Sequence, residues 1–343
     1  MRAAVMRQSR IVVDEVPDPE PGSGEVLVKT LACGICGSDL HALEHAAAMV
    51  EAAREAGAPI TLDPMRDLIL GHEFCAEVLD YGPNTIRRHP PGSRVVSMPV
   101  LVRGTSVEGI GFSNLAPGGY GERMVLSEAL LLPVPAGLST EQAALTEPMA
   151  VGVHAVARAA MGSNDAALVV GCGPVGLAVI AALRLEGRGP IVASDYSPLR
   201  RSLAERLGAH VVVDPARERP MEAFSRAAGF RSAVLFECVG VPGMIQELLR
   251  DAPRGARIVV AGVCMELDRI KPFHGIQKEL SLHFVLGYTP EEFARALAAI
   301  AEGEIDVDPL VTGRVGVEGV AAAFRTLARP EEHCKILVEP WRD

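Results

Sequence analysis

Aromatic residues make up only 4% of the 343 residues, and no uninterrupted apolar run approaches the length that crosses a bilayer. We therefore predict no membrane span. Basic residues are scattered along a chain of net charge −10, so the sequence has no basic patch of the kind that binds nucleic acid or anionic membranes. The first residues also lack the apolar core of a signal peptide. We therefore expect a cytoplasmic protein that binds neither nucleic acid nor membrane.

A disulfide framework is also missing. The seven cysteines are odd in number and irregular in spacing, which is typical of reduced thiols in the cytoplasm. Two of them, Cys33 and Cys36, form a Cys-x-x-Cys pattern, which indicates either a redox pair or part of a zinc site. A redox pair normally begins a helix of a thioredoxin-like unit. The surrounding sequence shows no such unit, so the zinc interpretation is favoured.

The pattern of predicted secondary structure changes near residue 166. Before it, short strand-like runs alternate with Gly/Pro turns. Residues 44–57 predict a helix ending at Gly57, and residues 140–161 predict a helix that breaks or restarts at Pro148. After it, apolar strands alternate with helices, beginning with AALVVGCG and PVGLAVIAALRLEG. This alternation predicts right-handed βαβ units in a doubly wound parallel sheet.

Residues 171–176 read GCGPVG, which matches the G-x-G-x-x-G pattern of dinucleotide-binding loops. Gly171 permits the tight turn after the strand, Gly173 lets a pyrophosphate approach the backbone, and Gly176 lets the helix pack closely on the strand. The N-terminus of that helix offers free N–H groups and a positive dipole end to phosphates. The motif predicts a Rossmann dinucleotide-binding domain.

The predicted strand that follows ends at Asp195, which indicates the preferred cofactor. A carboxylate there can accept hydrogen bonds from the adenosine ribose hydroxyls and would repel a 2′-phosphate, which favours NAD over NADP. Arg200 and Arg201 lie close by and favour the opposite choice, so NADP stays open. The remaining candidates for the cofactor site are Pro174, Val175, Tyr196, Arg200 and Val263.

Side chains of the types that bind zinc occur at three separate places. Cys36 lies in GICGSDLH, His72 follows a glycine in GHE, and Glu147 begins a predicted helix in TEPMAVGVH. Thiolate, imidazole and carboxylate are all good zinc ligands. Three protein ligands with one open position make a catalytic zinc site, whereas four make a closed structural one.

The motifs GICGSDLH, GHE, EPMAVGVHAV and GCGPVG occur here in the order seen in the zinc-dependent medium-chain alcohol dehydrogenases. The sequence resembles that family over essentially its whole length. The resemblance implies an α/β fold with a GroES-like β-rich catalytic domain, residues 1–150 completed by 289–343, and a Rossmann domain, residues 151–288. It implies hydride transfer between an alcohol and NAD, which gives an aldehyde or ketone, and the reverse reaction.

The resemblance also implies a set of zinc ligands. Cys36 matches the thiolate ligand and His72 the imidazole ligand. Glu147 lies where relatives carry either Cys or Glu as the third ligand, and a glutamate there is similar to the sorbitol (polyol) dehydrogenase branch. This similarity favours secondary alcohols or polyols as substrates. In that branch the glutamate that follows the histidine can bind zinc directly, so Glu73 competes with Glu147.

Three further residues of GICGSDLH match the proton-transfer machinery of the family. Asp39 corresponds to the carboxylate that orients the histidine ligand and sets its tautomer. Ser38 corresponds to the hydroxyl that takes the proton of the substrate alcohol, and His41 to the residue that hands this proton to solvent. Cys33 is then a buried small residue without a ligand role.

Two features depart from the family pattern. Residues 76–171 contain no cysteine, so the four-cysteine structural zinc of many relatives cannot form there. We expect one catalytic zinc per chain and a metal-free lobe at residues 100–119, within which residues 104–119 form a loose surface loop. The stretch between Cys36 and His72 is longer than expected because it contains the predicted helix 44–57. This helix is either a wall or lid of the substrate cleft or a surface decoration.

Residues 279–288 lie where relatives pair edge strands across a dimer, which implies a homodimer or a homotetramer. Two other functions stay open. One is a zinc-free quinone or enoyl reductase of the same superfamily, and the other is a dinucleotide-binding protein without catalytic activity. Cys36 and His72 together with Ser38 and His41 argue against both, since neither protein needs that combination.

Overall fold

The computed structural model describes residues 1–58, 61–329 and 332–342. Within these residues the chain divides into two compact units. None of the described helices has the length and apolar character needed to cross a membrane. The core clusters of both units consist mainly of Ala, Val, Leu and Ile side chains, in keeping with the scarcity of aromatic residues.

The first unit contains Met1–Glu147, Val311–Arg329 and the C-terminal stretch from Lys335, and the second contains Pro148–Leu310 with a short stretch ending at Cys334. The predicted boundaries differ from these mainly in one segment. Residues 289–310 were predicted to complete the first domain, whereas the structure includes them in the second unit. Residues 330, 331 and 343 of that predicted part lie outside the described residues.

The first unit is rich in β-structure, as the sequence predicts. Its strands are β1 (Arg2–Arg7), β2 (Arg10–Glu15), β3 (Glu25–Gly34), β4 (Glu73–Tyr81), β5 (Arg94–Ser97), β6 (Val100–Arg103), β7 (Ser106–Gly109), β8 (Arg123–Ser127), β9 (Leu131–Pro133), β16 (Val311–Val315) and β17 (Lys335–Val338). Its main sheet has the order β16-β17-β3-β4-β5-β9, and β8 also pairs with β3. The long central strand β3 is buried on one face and pairs antiparallel with β4 and β17. The carboxyl end of β3 therefore meets the first residue of β4 and the second half of the C-terminal strand β17.

The first unit also contains helices, which lie between its strands along the chain. They are α1 (Gly37–Glu55), α2 (Thr140–Ala144) and α10 (Val320–Leu327), and α3 (Thr146–Ala159) begins in the first unit and continues in the second. Short 3₁₀ turns occur at Glu128–Leu130 and Val317–Gly319. The predicted helix 140–161 is thus two helices, and Pro148 lies in the first turn of the second, where a missing N–H costs no hydrogen bond.

The second unit is the predicted doubly wound sheet. Its strands are β10 (Asp165–Val170), β11 (Ile191–Ser194), β12 (Val211–Val213), β13 (Ser232–Glu237), β14 (Arg257–Val260) and β15 (Ser281–Phe284). All pair in parallel, in the order β12-β11-β10-β13-β14-β15. Its remaining helices are α4 (Pro174–Leu185), α5 (Pro198–Leu207), α6 (Pro220–Ala228), α7 (Met244–Asp251), α8 (Pro272–Lys278) and α9 (Pro290–Ala301), with a 3₁₀ turn at Asp308–Leu310. This is the strand order of a Rossmann fold, whose ligands bind where the order reverses, between the first and fourth strands.

Helix α1 begins earlier than the sequence predicts. The prediction started at residue 44, but the helix starts at Gly37 and is interrupted by non-helical dihedral angles at His45 (φ −131°, ψ 23°). Glycine, serine and aspartate are weak helix formers, which explains the error. The start is stabilised because the Asp39 carboxylate accepts a hydrogen bond from the N–H of Cys36, at 2.9 Å.

The lobe at residues 100–119 is better ordered than predicted. Strand β7 lies within the stretch 104–119 and pairs antiparallel with β6, so this stretch is not simply a loose loop. The carboxylate of Glu108 is buried and accepts hydrogen bonds from the hydroxyls of Ser113, at 2.8 Å, and of Thr61. Asn114 donates to the carbonyl oxygens of Asp63 and Asp67 at 3.2 and 3.0 Å. Hydrogen bonds thus attach the lobe to the segment that precedes His72.

Candidate functional site

Three potential metal ligands of the first unit come together next to the end of β3. The ligand atoms of Cys36, His72 and Glu73 lie within 4.8 Å of one another. Cys36 precedes α1, and His72 and Glu73 lie at the start of β4, whose pairing with β3 brings these distant segments side by side. The described residues contain no other cluster of this kind. Glu147 is buried at the start of α3 and does not belong to the cluster.

The imidazole of His72 lies beside a buried carboxylate. Asp39 is fully buried, and its Oδ1 lies 3.3 Å from His72 Nδ1. Neither atom has a partner with hydrogen-bond geometry among the described residues. Burial disfavours charge on both groups, yet their mutual attraction lowers the pKa of Asp39 and raises the pKa of His72.

The donor set fits zinc. A thiol, an imidazole and a carboxylate are the groups that zinc binds, and a carboxylate next to the second ring nitrogen is the usual companion of a ligating histidine. Because Nδ1 faces Asp39, Nε2 is the ring nitrogen available to a metal. Cys33 is fully buried in the core cluster of the first unit, as predicted.

Glu73 has an unexpected partner. The ammonium of Lys335 donates hydrogen bonds to both carboxylate oxygens of Glu73, at 2.6 and 2.7 Å, and to the carbonyl oxygen of Ile35, at 3.0 Å. Both side chains of this ion pair are buried. Lys335 therefore connects the C-terminal strand β17 to Ile35 and Glu73, the residues that directly adjoin Cys36 and His72. The Glu73 carboxylate, which was predicted as a competing zinc ligand, is thus already paired with an ammonium group.

Ser38 and His41 both lie in the first turns of α1, three residues apart and partly buried. Residues with this spacing share a face of a helix. The ring of His41 stacks on that of His45, with centroids 6.4 Å apart. Their predicted roles in proton transfer rest on this common face and stay predictions.

Sequence reasoning missed three residues that surround the ligand cluster. The Phe112 ring lies 5.3 Å, between centroids, from the ring of His72. The Tyr120 hydroxyl donates to Asp39 at 2.6 Å, and Lys335 pairs with Glu73. Only Lys335 left a signal, since a lysine beginning the apolar strand KILV requires a buried partner. Nothing in the local sequence of Phe112 or Tyr120 indicates these contacts.

The predicted dinucleotide loop of the second unit has the expected local geometry. Gly171 follows β10 with φ +89°, a conformation that favours glycine, and Gly173 caps the N-terminus of α4. A Cβ atom on Gly176 would lie 1.8 Å from the carbonyl oxygen of Gly171, so only glycine permits this helix to approach the strand. Pro174 and Val175 form the first turn of α4, which places free N–H groups at the carboxyl end of the sheet.

Asp195 is held at the end of β11. Its carboxylate accepts hydrogen bonds from the N–H groups of Cys172, at 2.7 Å, and Ser197, at 2.8 Å. The Arg200 guanidinium lies 4.0 Å from the same carboxylate. Arg201 donates to the carbonyl oxygens of Asp195 and Tyr196 at 2.7 and 2.8 Å. Arg201 is thus engaged in holding the turn, whereas Arg200 lies beside the predicted ribose position.

Two other predicted cofactor residues are exposed. Tyr196 is 71% exposed directly after Asp195, and Val263 is 47% exposed after β14. The backbone of Val263 lies against Gly240, where a Cβ atom would come within 2.6 Å of the Val263 carbonyl oxygen. Both residues therefore lie at the carboxyl edge of the parallel sheet, with side chains accessible to a ligand.

Comparison with known proteins identifies the family. The family model of the alcohol dehydrogenase GroES-like domain matches residues 22–136. The family model of the zinc-binding dehydrogenases matches residues 174–302. The (R,R)-butanediol dehydrogenase of Bacillus subtilis (strain 168) is 33% identical to the chain over 97% of each protein. The chain belongs to the zinc-dependent medium-chain dehydrogenases. The predicted family and the fold class, a GroES-like domain with a Rossmann sheet, are confirmed.

Other zinc-dependent dehydrogenases also resemble the chain over most of its length. Sorbitol dehydrogenase of Bos taurus is 30% identical over 92% of this chain and 89% of that protein. A protein of Sinorhizobium meliloti 1021, assigned to the zinc-binding dehydrogenases and bound to NADP, superimposes with a TM-score of 0.83 at 27% identity over 99% of each chain. This dehydrogenase is therefore an enzyme, an oxidoreductase of alcohols that uses zinc and a nicotinamide dinucleotide.

Proposed function

We propose that this dehydrogenase oxidises a secondary alcohol or polyol with NAD, giving the ketone or aldehyde, and catalyses the reverse reaction. The observation that carries the proposal is the cluster of Cys36, His72 and Glu73 beside Asp39. The relatives support the substrate class, since they are named for butanediol, a vicinal secondary diol, and for sorbitol. A small-molecule alcohol is the partner that such a site requires.

One zinc per chain would be held by Cys36 and His72, with a glutamate as third ligand. Glu73 lies in the cluster but shares both oxygens with Lys335, whereas Glu147 lies outside it, and both remain candidates. A bound zinc polarises the substrate oxygen and lowers the pKa of an alcohol. The four-cysteine structural site has no counterpart, because residues 76–171 lack cysteine.

The protein residues around the metal move the proton. Ser38 accepts the hydroxyl proton of the substrate, and His41, one turn further along α1, passes it to solvent. The hydride chemistry would be supplied by the bound nicotinamide, and the residues of the second unit would hold and position that cofactor. The Rossmann unit binds the dinucleotide through the Gly171–Gly176 turn, with Asp195 accepting hydrogen bonds from the adenosine ribose and thereby favouring NAD over NADP.

Zinc analysis together with kinetics tests the proposal. Purified, unchelated protein should contain about one zinc per chain, and it should reduce NAD with vicinal diols, polyols or secondary alcohols. Ser38→Ala should keep the zinc and lose about 100-fold in kcat, the usual contribution of a general base. Protein that binds dinucleotide but no zinc would contradict the mechanism, and full activity of Ser38→Ala would show that the proton leaves by another route.

The surface at β15 supports a homodimer. In the described sheet this strand pairs with β14 on one side only, and the apolar side chains of Phe284 and Leu286 are 67% and 88% exposed. An exposed apolar edge strand readily pairs with another chain. Two copies joined edge to edge would cover it, and a tetramer would pair two such dimers. Light scattering should give a dimer or tetramer that Phe284→Asp weakens, and a monomeric wild type would contradict this assembly.

A cytoplasmic location accords with the reduced thiols.

A further inference from the structure

Tyr120 is fully buried and lies between the lobe and β8. Its backbone is attached at two places. The N–H donates to the carbonyl oxygen of Leu70 at 3.1 Å, and the carbonyl oxygen accepts from the N–H of Ala4 at 3.0 Å. Tyr120 is therefore connected both to β1 and to the segment that leads directly into His72.

The ring of Tyr120 has little freedom. On one side it lies against Gly71, where an added Cβ atom would come within 2.7 Å of the ring, so the residue before His72 must be glycine. The ring of Phe324, from α10, contacts it edge-on with centroids 6.1 Å apart. Packing from both sides fixes the direction of the Tyr120 hydroxyl.

That hydroxyl points at the carboxylate beside the metal ligand. It donates to Asp39 Oδ2 at 2.6 Å, and the N–H of Cys36 donates to the same oxygen at 2.9 Å. With Oδ2 occupied by two donors, Oδ1 is the oxygen that faces His72 Nδ1. Burial raises the pKa of Tyr120 well above the usual range, so the hydroxyl keeps its proton and acts as the donor.

We propose that Tyr120 is a positioning residue of the metal centre. Its hydroxyl holds Asp39 so that Oδ1 faces His72 Nδ1, which leaves Nε2 for the metal. The inference rests on the proposed metal site and adds a residue that touches neither metal nor substrate. Groups that orient the partner of a ligating histidine contribute to metal affinity because they set the ring's tautomer and direction in advance.

Tyr120→Phe tests this with the removal of one oxygen atom, since phenylalanine preserves the packing of the ring. Zinc affinity is measured by competition with a chromophoric chelator, and the visible spectrum of the Co²⁺-substituted protein reports the geometry at the ligands. We expect zinc affinity to fall about tenfold, at the lower end of the effect of outer partners, with a changed Co²⁺ spectrum. Thermal unfolding of the metal-free variant should confirm a folded protein.

Tyr81→Phe is the matched control. Tyr81 is also buried in the first unit, and its hydroxyl donates to the carbonyl oxygen of His89 and not to Asp39. Its removal should leave the zinc affinity and the Co²⁺ spectrum unchanged. Equal losses in both variants would overturn the proposal, because the effect would then be a general consequence of losing a buried hydroxyl.

A double-mutant cycle checks the route through Asp39 and provides a second, independent measurement. In an Asp39→Ala background, adding Tyr120→Phe should cause no further loss of zinc affinity. The same tenfold loss in both backgrounds, or wild-type affinity in Tyr120→Phe, would refute the inference. A wild-type protein that binds neither Zn²⁺ nor Co²⁺ would instead refute the proposed metal site itself, so the two failures are distinguishable.

Discussion

The metal-ligand cluster and the dinucleotide loop are built in opposite ways. The loop from Gly171 to Gly176 is a continuous stretch whose shape follows from its own glycines and from the start of α4. The cluster brings together Cys36 and His72 from separate segments, and Lys335, near the end of the chain, holds the carboxylate beside His72. A local site tolerates remote substitutions, whereas an assembled site depends on residues that never touch the ligand.

The largest effect is expected within the cluster. Cys36→Ser should lose zinc affinity by more than the roughly 100-fold that removal of an outer partner costs, and with it the activity, because a serine hydroxyl is a poor substitute for a thiolate. Dinucleotide binding should survive, since the loop lies in the other unit. Elemental analysis and NADH fluorescence titration measure the two separately. Retained activity in Cys36→Ser would show that the ligand assignment is wrong.

Lys335→Met should show how far the cluster depends on remote residues. The substitution leaves the buried carboxylate of Glu73 without its cation, and breaking a buried ion pair in this way costs about 3–5 kcal/mol. Urea unfolding of the metal-free protein measures the loss. The paired variant Glu73→Gln/Lys335→Met, which leaves no unpaired charge, should recover much of the stability. If both variants are equally unstable, packing and not charge is responsible.

Gly176→Ala should break the local site and spare the cluster. The new methyl group would lie 1.8 Å from the carbonyl oxygen of Gly171. Forcing such a group into a packed interior costs about 1–3 kcal/mol, so dinucleotide affinity and stability should both fall while zinc content stays constant. The matched control is Gly275→Ala, since a Cβ atom there would meet nothing within 4 Å. A Gly176→Ala protein with normal NADH affinity would contradict the loop assignment.

The smallest effect concerns cofactor choice. Asp195→Ala removes a charged acceptor for the ribose hydroxyls and should lower the ratio of kcat/KM for NAD to that for NADP about tenfold, the contribution of one charged hydrogen bond. Arg200→Ala tests the opposing influence of the nearby guanidinium and should change the ratio in the other direction. An unchanged ratio in Asp195→Ala would remove the reason for proposing NAD over NADP.

Helix α1 and the lobe show where local reasoning is limited. The first turn of α1 is poor in helix formers, and it forms because Asp39 caps the N–H of Cys36. Strand β7 formed where the sequence predicted a loose loop, and Glu108 attaches the lobe to a distant segment by accepting a hydrogen bond from Thr61. The first contact is a local cap across three residues and the second spans 47 residues, and each outweighed a propensity that alone amounts to a few tenths of a kcal/mol per residue.

By itself, the amino-acid sequence determined the parallel sheet, the glycine turn and the chemical types of the metal ligands, because periodicity, glycine spacing and side-chain chemistry are local properties. The tertiary structure alone decided that Lys335 pairs with Glu73, that the Tyr120 hydroxyl donates to Asp39 and that residues 289–310 belong to the second unit. The physical reason is that a buried polar group must find a partner wherever the fold places one, at any distance along the chain.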